Sequence, residues 1–441
     1  MQAEIAKLEK ERLALLAPAS ENVTVVNTKG FSADEIVNLG AVDAFSLVDG
    51  EGRVWPVQQT ADGAVAYLES LPAKGYRTYA VSNEPAGESN PFVIRDGGIE
   101  TPFFSVDFDS QGMITRLYDK EEERDALVPG QRGNLMRMYE DKPMYFDDWD
   151  IDIFYSEKGW DADDVRRMEW IEKGPVRATL LIEREISGCT IKQHIHFYAD
   201  TRRIDFETVL DWHVHQHILK VYFPTAVHSD EATFDIQFGN VKRKIHTNTS
   251  WDWARFESCG QKWADISEGH YGVSLLNDCK YGHSAKDGVL CLTLVKSGIE
   301  PNPECDQGEH RFTYSLYPHA GDWRCGTIPE AYCLNQPAHV LRGGQTGNCF
   351  SLADTADQNV MLETIKRAED GDGWIARIYE TDNARTKSAL YWNRPVASVE
   401  ECNGLEEKQA DVPFNTLENG GAEIPFVIKP YEIKSFRIRE K

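Results

Sequence analysis

The run Arg203-Ile-Asp-Phe-Glu-Thr-Val-Leu-Asp-Trp212 alternates apolar and charged side chains with a period of two. Successive strand side chains point to opposite sides of the backbone. Ile204, Phe206, Leu210 and Trp212 therefore share one face, and Arg203, Asp205, Glu207 and Asp211 share the other. One face is core; the other is wet or lines a groove. The preceding runs Arg177-Ala-Thr-Leu-Leu-Ile-Glu-Arg-Glu185 and Thr190-Ile-Lys-Gln-His-Ile-His-Phe-Tyr198 read as further long strands. Long antiparallel strands at this density favour a large sandwich over a barrel of short hairpins.

Farther out, short β-branched and aromatic runs recur between Gly, Pro, Asn and Asp: Val23-Thr-Val-Val-Asn27, Ala44-Phe-Ser-Leu-Val-Asp49, Thr78-Tyr-Ala-Val-Ser82 and Phe103-Phe-Ser-Val-Asp-Phe108. Residues 2–16 place Ile5, Leu8, Leu13, Leu15 and Leu16 among Glu and Lys, as in one amphipathic helix ending before Pro18. After it, helical periodicity almost disappears. The expected fold is all-β: a large antiparallel β-sandwich with smaller flanking β domains and a short N-terminal helix. The turn-rich stretch Ser82-Asn-Glu-Pro-Ala-Gly-Glu-Ser-Asn-Pro91 and the break near Leu334-Asn-Gln-Pro337 divide the chain. The expected segments are a helical leader over 1–20, a small β domain over 21–95, the large sandwich over 96–333 and a C-terminal β domain over 334–441.

With 441 residues, 41% of them hydrophobic and 11% aromatic, the chain is long enough for several well-filled cores. Its net charge of −25 repels phosphate backbones and anionic membranes, which argues against nucleic-acid or lipid partners. A neutral sugar meets no such barrier. The N-terminus has no signal-peptide pattern, and no window is apolar enough for a membrane span, so a soluble cytoplasmic protein is expected. The nine cysteines are an odd number without a Cys-x-x-Cys pair, which suits packed thiols better than a disulfide framework or a thiolate zinc site. No partner near Cys279 or Cys291 suggests an activated thiol.

Several blocks, in order, resemble the zinc-dependent α-mannosidases of glycoside hydrolase family 38, particularly their cytosolic and bacterial branch. They are Val25-Val-Asn-Thr, Asp109-Ser-Gln-Gly-Met-Ile-Thr-Arg-Leu-Tyr-Asp119, Gly133-Asn-Leu, Tyr139-Glu-Asp-Lys-Pro-Met-Tyr-Phe-Asp-Asp-Trp-Asp-Ile-Asp152 and Leu219-Lys-Val-Tyr-Phe-Pro224. Phe238-Gly, Trp263-Ala-Asp-Ile-Ser-Glu-Gly-His-Tyr-Gly-Val-Ser-Leu-Leu-Asn-Asp-Cys-Lys-Tyr-Gly282, His310-Arg-Phe-Thr-Tyr-Ser-Leu-Tyr-Pro-His319 and Trp374-Ile-Ala-Arg-Ile-Tyr-Glu380 follow. The likeness runs from about residue 20 to the end, on the family's C-terminal β-sandwich portion. It implies an enzyme whose upstream α/β barrel carries the zinc ligands and the aspartate nucleophile, with a helical bundle between. The retaining mechanism needs two carboxyl groups about 5–5.5 Å apart. No residue of this chain matches the family's motif for that pair. The resemblance thus implies no catalytic residue and no metal ligand here, zinc only in the upstream domain, and mannose-containing saccharides and that barrel as partners. A homo-oligomer is compatible with it.

Asp147-Asp-Trp-Asp-Ile-Asp152 is the most chemical-looking segment. An extended backbone there would put Asp148, Asp150 and Asp152 on one side and Trp149 on the other. Carboxylates accept sugar hydroxyls and an indole stacks on a sugar's C–H face; the alternative is a solvated acidic loop anchored by Trp149. A calcium loop is excluded, since its sixth and twelfth positions would be Ile153 and Gly159. In the family, the equivalent loop is expected against the barrel's active-site mouth. Asp306 and His310 lie in a segment that resembles one able to approach the substrate cleft, or they form a turn feeding the strand at Phe312. His213-Val-His-Gln-His217 invites a metal, but in one strand its outer imidazoles lie about 13 Å apart, too far for one ion. Asp278 and Lys280 suit an ion pair in a tight turn.

Two further readings stay open. One is a free-standing carbohydrate-binding module whose groove is the Asp/Trp loop. The other follows from the likeness of the family's large sandwich to the galactose mutarotase fold: a sugar epimerase, with His194, His196 or His215 as acid and Glu207 as base.

Overall fold

The computed structural model describes residues 17–87 and 90–441, together with residues 4, 7, 11 and 15. The leader helix expected over 2–16 lies outside the described residues apart from those four. The alternation in the middle of the chain does form a strand, Ile204–Trp212, in which Ile204, Phe206, Leu210 and Trp212 are buried. Every strand pairing among the described residues is antiparallel, and the fold is an all-β sandwich. The chain forms two compact units, residues 1–88 with 336–441, and residues 89–335.

In the unit of residues 89–335, Ile204–Trp212 lies inside a nine-stranded sheet. Its order is Asp164–Lys173, Arg177–Ile186, Cys189–Tyr198, Ile204–Trp212, Gly308–Ala320, Tyr271–Asn277, Trp263–Glu268, Glu231–Ile236 and Gly239–Lys244. A six-stranded sheet runs Gly159–Asp161, Leu135–Glu140, His217–Pro224, Val289–Ser297, Gly282–Ser284 and Ser258–Cys259. A five-stranded sheet spans Val93–Arg95 to Arg124–Asp125. Apolar residues of all three, among them Phe206, Trp212, Val221, Leu292 and Leu117, make one core cluster. The apolar face of each sheet is buried against the others, as the period-two pattern requires.

Helical structure is scarce but present. Thr327–Asn335 and Ser250–Ala254 are α-helices that periodicity did not signal. Thr327–Asn335 lies on the polar side of the nine-stranded sheet, where Glu330 binds Arg203 and Thr201. That face, expected to be wet, is partly sealed.

In the unit of residues 1–88 and 336–441, Val23–Asn27 pairs on one side with Gly75–Ser82 and on the other with His339–Arg342. The N-terminal and C-terminal β regions thus share a sheet. Lys29 and Glu35 form a fully buried ion pair there, 2.5 Å apart. The unit also holds a three-stranded sheet of Ala33–Gly40, Gly63–Leu71 and Gln58–Thr60, and a four-stranded and a five-stranded sheet between Ala353–Thr355 and Ile433–Glu440, with Trp392 and Phe436 at the core of the last two.

Candidate functional site

Register places three loops at one end of the six-stranded sheet. Glu140 pairs with His217, and His217 with Ser297. The loops after Glu140, before His217 and after Ser297 therefore leave from the same edge. Gly308 pairs with Trp212 in the nine-stranded sheet, so the segments 213–216 and 298–307 both cross from one sheet to the other here. The indole of Trp212 donates to Ser297 Oγ at 2.8 Å, and Ser297 Oγ and Gln307 Nε2 both donate to the carbonyl of Val214.

Asp147 ties these loops together. Its Oδ1 accepts the amides of Ile299 at 3.0 Å and Glu300 at 2.8 Å, and its Oδ2 accepts Gln216 Nε2 at 3.0 Å. Lys296 donates to the carbonyl of Asp147 and pairs with buried Asp141. Burial opposes the charge on Asp147, but these hydrogen bonds and the Lys296 charge outweigh it and hold the carboxyl below its usual range. The close approach demands glycine at 298, where a Cβ would come within 2.7 Å of the Asp147 backbone and 2.4 Å of Asp148 Oδ1.

The loop is a turn, not the extended segment expected. The amides of Trp149 and Asp150 both donate to the carbonyl of Phe146, so the carboxylates do not share one side. Asp148 points back into the loops: its Oδ2 accepts the amide of Asn302 at 2.7 Å, and its buried Oδ1 faces Gly298. Asp152 accepts the amide of Ile153. Asp150 is exposed, and so is Trp149, at 69%, stacked on Phe146 with ring centroids 5.5 Å apart. Asp306 is exposed, with its carbonyl accepting His310 Nε2 at 2.7 Å. Its strand starts at Gly308. Burial first, then the carboxylates of Asp306 and Asp148, push the Cys305 thiol up to about 11. The structure thus brings Asp148 and Asp306 into one loop cluster.

Around Trp149 the surface is apolar. Met144, Tyr145, Phe146, Phe154 and Trp160 are exposed, as are Trp251, at 85%, and Trp253. Trp253 is linked inward by ring contacts through Phe256 and Tyr155 to Tyr139, at 6.2, 6.0 and 5.4 Å between successive centroids. Beneath this layer Lys220 is buried against Glu257, which also accepts Thr293 Oγ1, and its Nζ lies 5.3 Å from the Tyr155 ring centroid. Burial disfavours the Lys220 charge, but Glu257 more than offsets it, so the ammonium is held. Lys296 and Gly298, which help organise this end, escaped the sequence reading, and Asp147, Gln216 and Lys220 stood inside quoted runs without their anchoring role being read. Their partners lie far along the chain, and only a lysine at 220 inside an otherwise apolar strand hinted at them.

The other sequence candidates resolve differently. The strand ends at Trp212 and restarts at His217, so the three histidines do not share a strand face. His213 pairs with Asp211, His215 approaches the carbonyl of Gly298, and His217 approaches that of His215. Among the described residues no group of three His, Cys, Asp or Glu is placed to hold a metal ion, so these residues do not fit a zinc centre. Asp278 does not pair with Lys280. It accepts the amide of Thr313, while Lys280 lies over Phe312. His196 is buried, bonded through Nδ1 to Thr179 and through Nε2 to Glu207 at 3.3 Å. His196 and Glu207, one acid–base pairing of the epimerase reading, therefore bind each other. Asp265, His319 and Ser274 form a buried cluster of hydrolase-like composition, but His319 Nε2 faces both Asp265 at 2.8 Å and Ser274 at 3.2 Å. A relay needs the two ring nitrogens to face opposite partners.

Residues 99–304 match the glycosyl hydrolases family 38 C-terminal domain, and residues 359–436 match the glycosyl hydrolases family 38 C-terminal beta sandwich domain. Alpha-mannosidase G of Dictyostelium discoideum is 35% identical over 360 residues, 77% of this chain and 32% of that protein. Alpha-mannosidase 2C1 of Homo sapiens is 30% identical over 439 residues, 95% of this chain and 40% of that protein. The crystal structure of an alpha-mannosidase from Enterococcus faecalis V583 shares the fold, with a TM-score of 0.74 at 16% identity over 98% of this chain and 58% of that one. The chain spans 32–40% of the length of these curated relatives. With both C-terminal domains present in order on a matching fold, the chain belongs to glycosyl hydrolase family 38 as its C-terminal β-sandwich portion.

Proposed function

We propose that this chain serves an α-mannosidase that hydrolyses terminal α-linked mannose by a zinc-dependent retaining mechanism, and that it supports the catalytic domain without supplying the chemistry. Zinc and the nucleophile are assigned to the part of the enzyme upstream of this chain, and no step is routed through residues described here. The observation that carries this reading is the exposed aromatic surface around the Asp147–Asp152 turn, in a chain that matches the family's C-terminal domains. Exposed apolar surface this concentrated marks an interaction face. Trp149 stacks on a sugar ring or on the catalytic domain, and Asp150, Asp152, Asp306 and His310 border the same end as hydrogen-bonding groups.

The test is hydrolysis of 4-nitrophenyl α-mannoside by the purified chain, with and without added zinc, beside human alpha-mannosidase 2C1 as the control. The expected result is turnover by the control alone. Zinc-dependent turnover by this chain would overturn the assignment.

A further inference from the structure

In a chain with 25 more acidic than basic residues, a small pocket among the described residues is lined by more bases than acids. Arg243, Lys244, His246, Arg255 and Lys286 border it, with only Asp252 and Glu257 as carboxylates. Both carboxylates are engaged. Asp252 caps its own helix through the amide and hydroxyl of Thr249, and Glu257 binds Lys220 and Thr293. Lys244 pairs with Asp230 at 2.7 Å. Among the described residues, Arg243, Arg255 and Lys286 have no carboxylate within ion-pair distance. Arg243 donates to the carbonyl of Cys259, and Lys286 to that of Trp253, which leaves most of their donors unused. Burial, with the Arg255 charge adding to it, lowers the pKa of both Arg243 and Lys286.

A second observation points the same way. His283, fully buried, lines this pocket. The Asn277 amide is oriented by the Lys280 amide donating to its Oδ1 at 2.7 Å, and its Nδ2 approaches His283 Nε2 at 3.2 Å. Nε2 must accept, so the proton sits on Nδ1, and Nδ1 has no acceptor among the described residues. Burial pushes this imidazole down to about 4, so it stays neutral. A buried donor without an acceptor is costly.

We propose that Arg243, Arg255, Lys286 and His283 form an oxyanion site that takes a phosphoryl group. Such a ligand brings negative charge to three cations that lack a carboxylate partner and a lone pair to the imidazole N–H, and the phosphoryl group of a dianionic phosphomonoester has no donor needing satisfaction. The cavity of about 30 Å³ exceeds what one water needs and is too small for a sugar ring. Only the phosphoryl end enters, and the remainder of a phosphomonoester stays outside. The site is independent of the α-mannosidase reading.

The test is the melting temperature of the full chain titrated with inorganic phosphate, with glucose 6-phosphate and with sodium chloride at matched ionic strength. In parallel, the His283 Nδ1–H proton is followed by NMR. The expected result is saturable stabilisation by phosphate beyond chloride, a shift of the His283 proton, and at least tenfold weaker binding in R255Q and K286Q, which remove surface-facing charges without disturbing the core. Glucose 6-phosphate binding tenfold tighter than phosphate assigns the ligand as a phosphorylated sugar, and equal binding assigns the free ion. Identical stabilisation by phosphate and chloride, or unchanged phosphate binding in both variants, would overturn the site.

Discussion

The nine-stranded and the six-stranded sheets of the unit 89–335 turn opposite kinds of outer face to their surroundings. On the nine-stranded sheet, Arg203 makes two bonds to Asp205, at 2.7 and 3.0 Å, and Asp205 also accepts Tyr198 and Ser315. Glu330 from the helix Thr327–Asn335 completes the layer. Burial opposes the Asp205 charge, yet Arg203 and the two hydroxyls hold the carboxyl below its usual range. Around Arg203 this face is closed, with its buried charges matched inside the unit. On the six-stranded sheet the outer layer ends in exposed Trp149, Phe154, Trp251 and Trp253. A sheet face sealed by its own polar network needs nothing further, whereas one capped by exposed aromatics is suited to binding. The second face is thus the one of the two whose chemistry suits an interaction.

The largest effect is expected from breaking the closed face. Asp205→Ala strands Arg203 without its bidentate partner and is expected to cost about 3–5 kcal/mol, read from urea unfolding followed by tryptophan fluorescence. A loss below about 1 kcal/mol would mean that the sealed layer is not a stability element.

Next come the loop anchors of the open face. Asp147→Asn weakens the carboxylate's hold on the Ile299 and Glu300 amides and is expected to cost about 1–3 kcal/mol. It also changes the acid limb. A carboxyl with a lowered folded pKa stabilises fully above its unfolded value, near 3.9, and loses that contribution as pH falls through the folded value. Denaturation midpoints measured from pH 7 to pH 2 should therefore fall less steeply below about pH 4 in the variant than in the parent. Gly298→Ala forces the Asp147 backbone away and is expected to cost about 1–3 kcal/mol, detectable as raised amide exchange at Ile299 and Glu300.

The smallest effect on stability belongs to the exposed aromatics. Trp149→Ala and Trp251→Ala should each change unfolding free energy by about 0.5 kcal/mol or less. A drop of several kcal/mol would show that these rings pack within the unit and would remove the contrast between the faces.

The period-two alternation in Ile204–Trp212 made the sandwich legible, because burial of one strand face is a local property written in consecutive residues. The family blocks were legible for the same reason. The helix Thr327–Asn335 was not, since it is short and is held by Glu330 on Arg203 and Thr201, not by a continuous apolar stripe. The Asp147–Asp152 run was recognisable as a candidate, but its geometry was not. Periodicity predicted an extended strand, and hydrogen bonds to Phe146 closed a turn.

The sequence alone determined the all-β class, the main strands and the family, all carried by short-range pattern. It also named the acidic loop. Tertiary structure decided which of its carboxylates is structural and which is free. Asp147 and Asp150 lie three residues apart and have identical chemistry, yet Asp147 is locked by amides 152 and 153 residues away while Asp150 faces solvent. That outcome depends on three loops leaving one sheet edge together, and on the register that puts Glu140, His217 and Ser297 side by side, a long-range pairing that no local window of residues encodes.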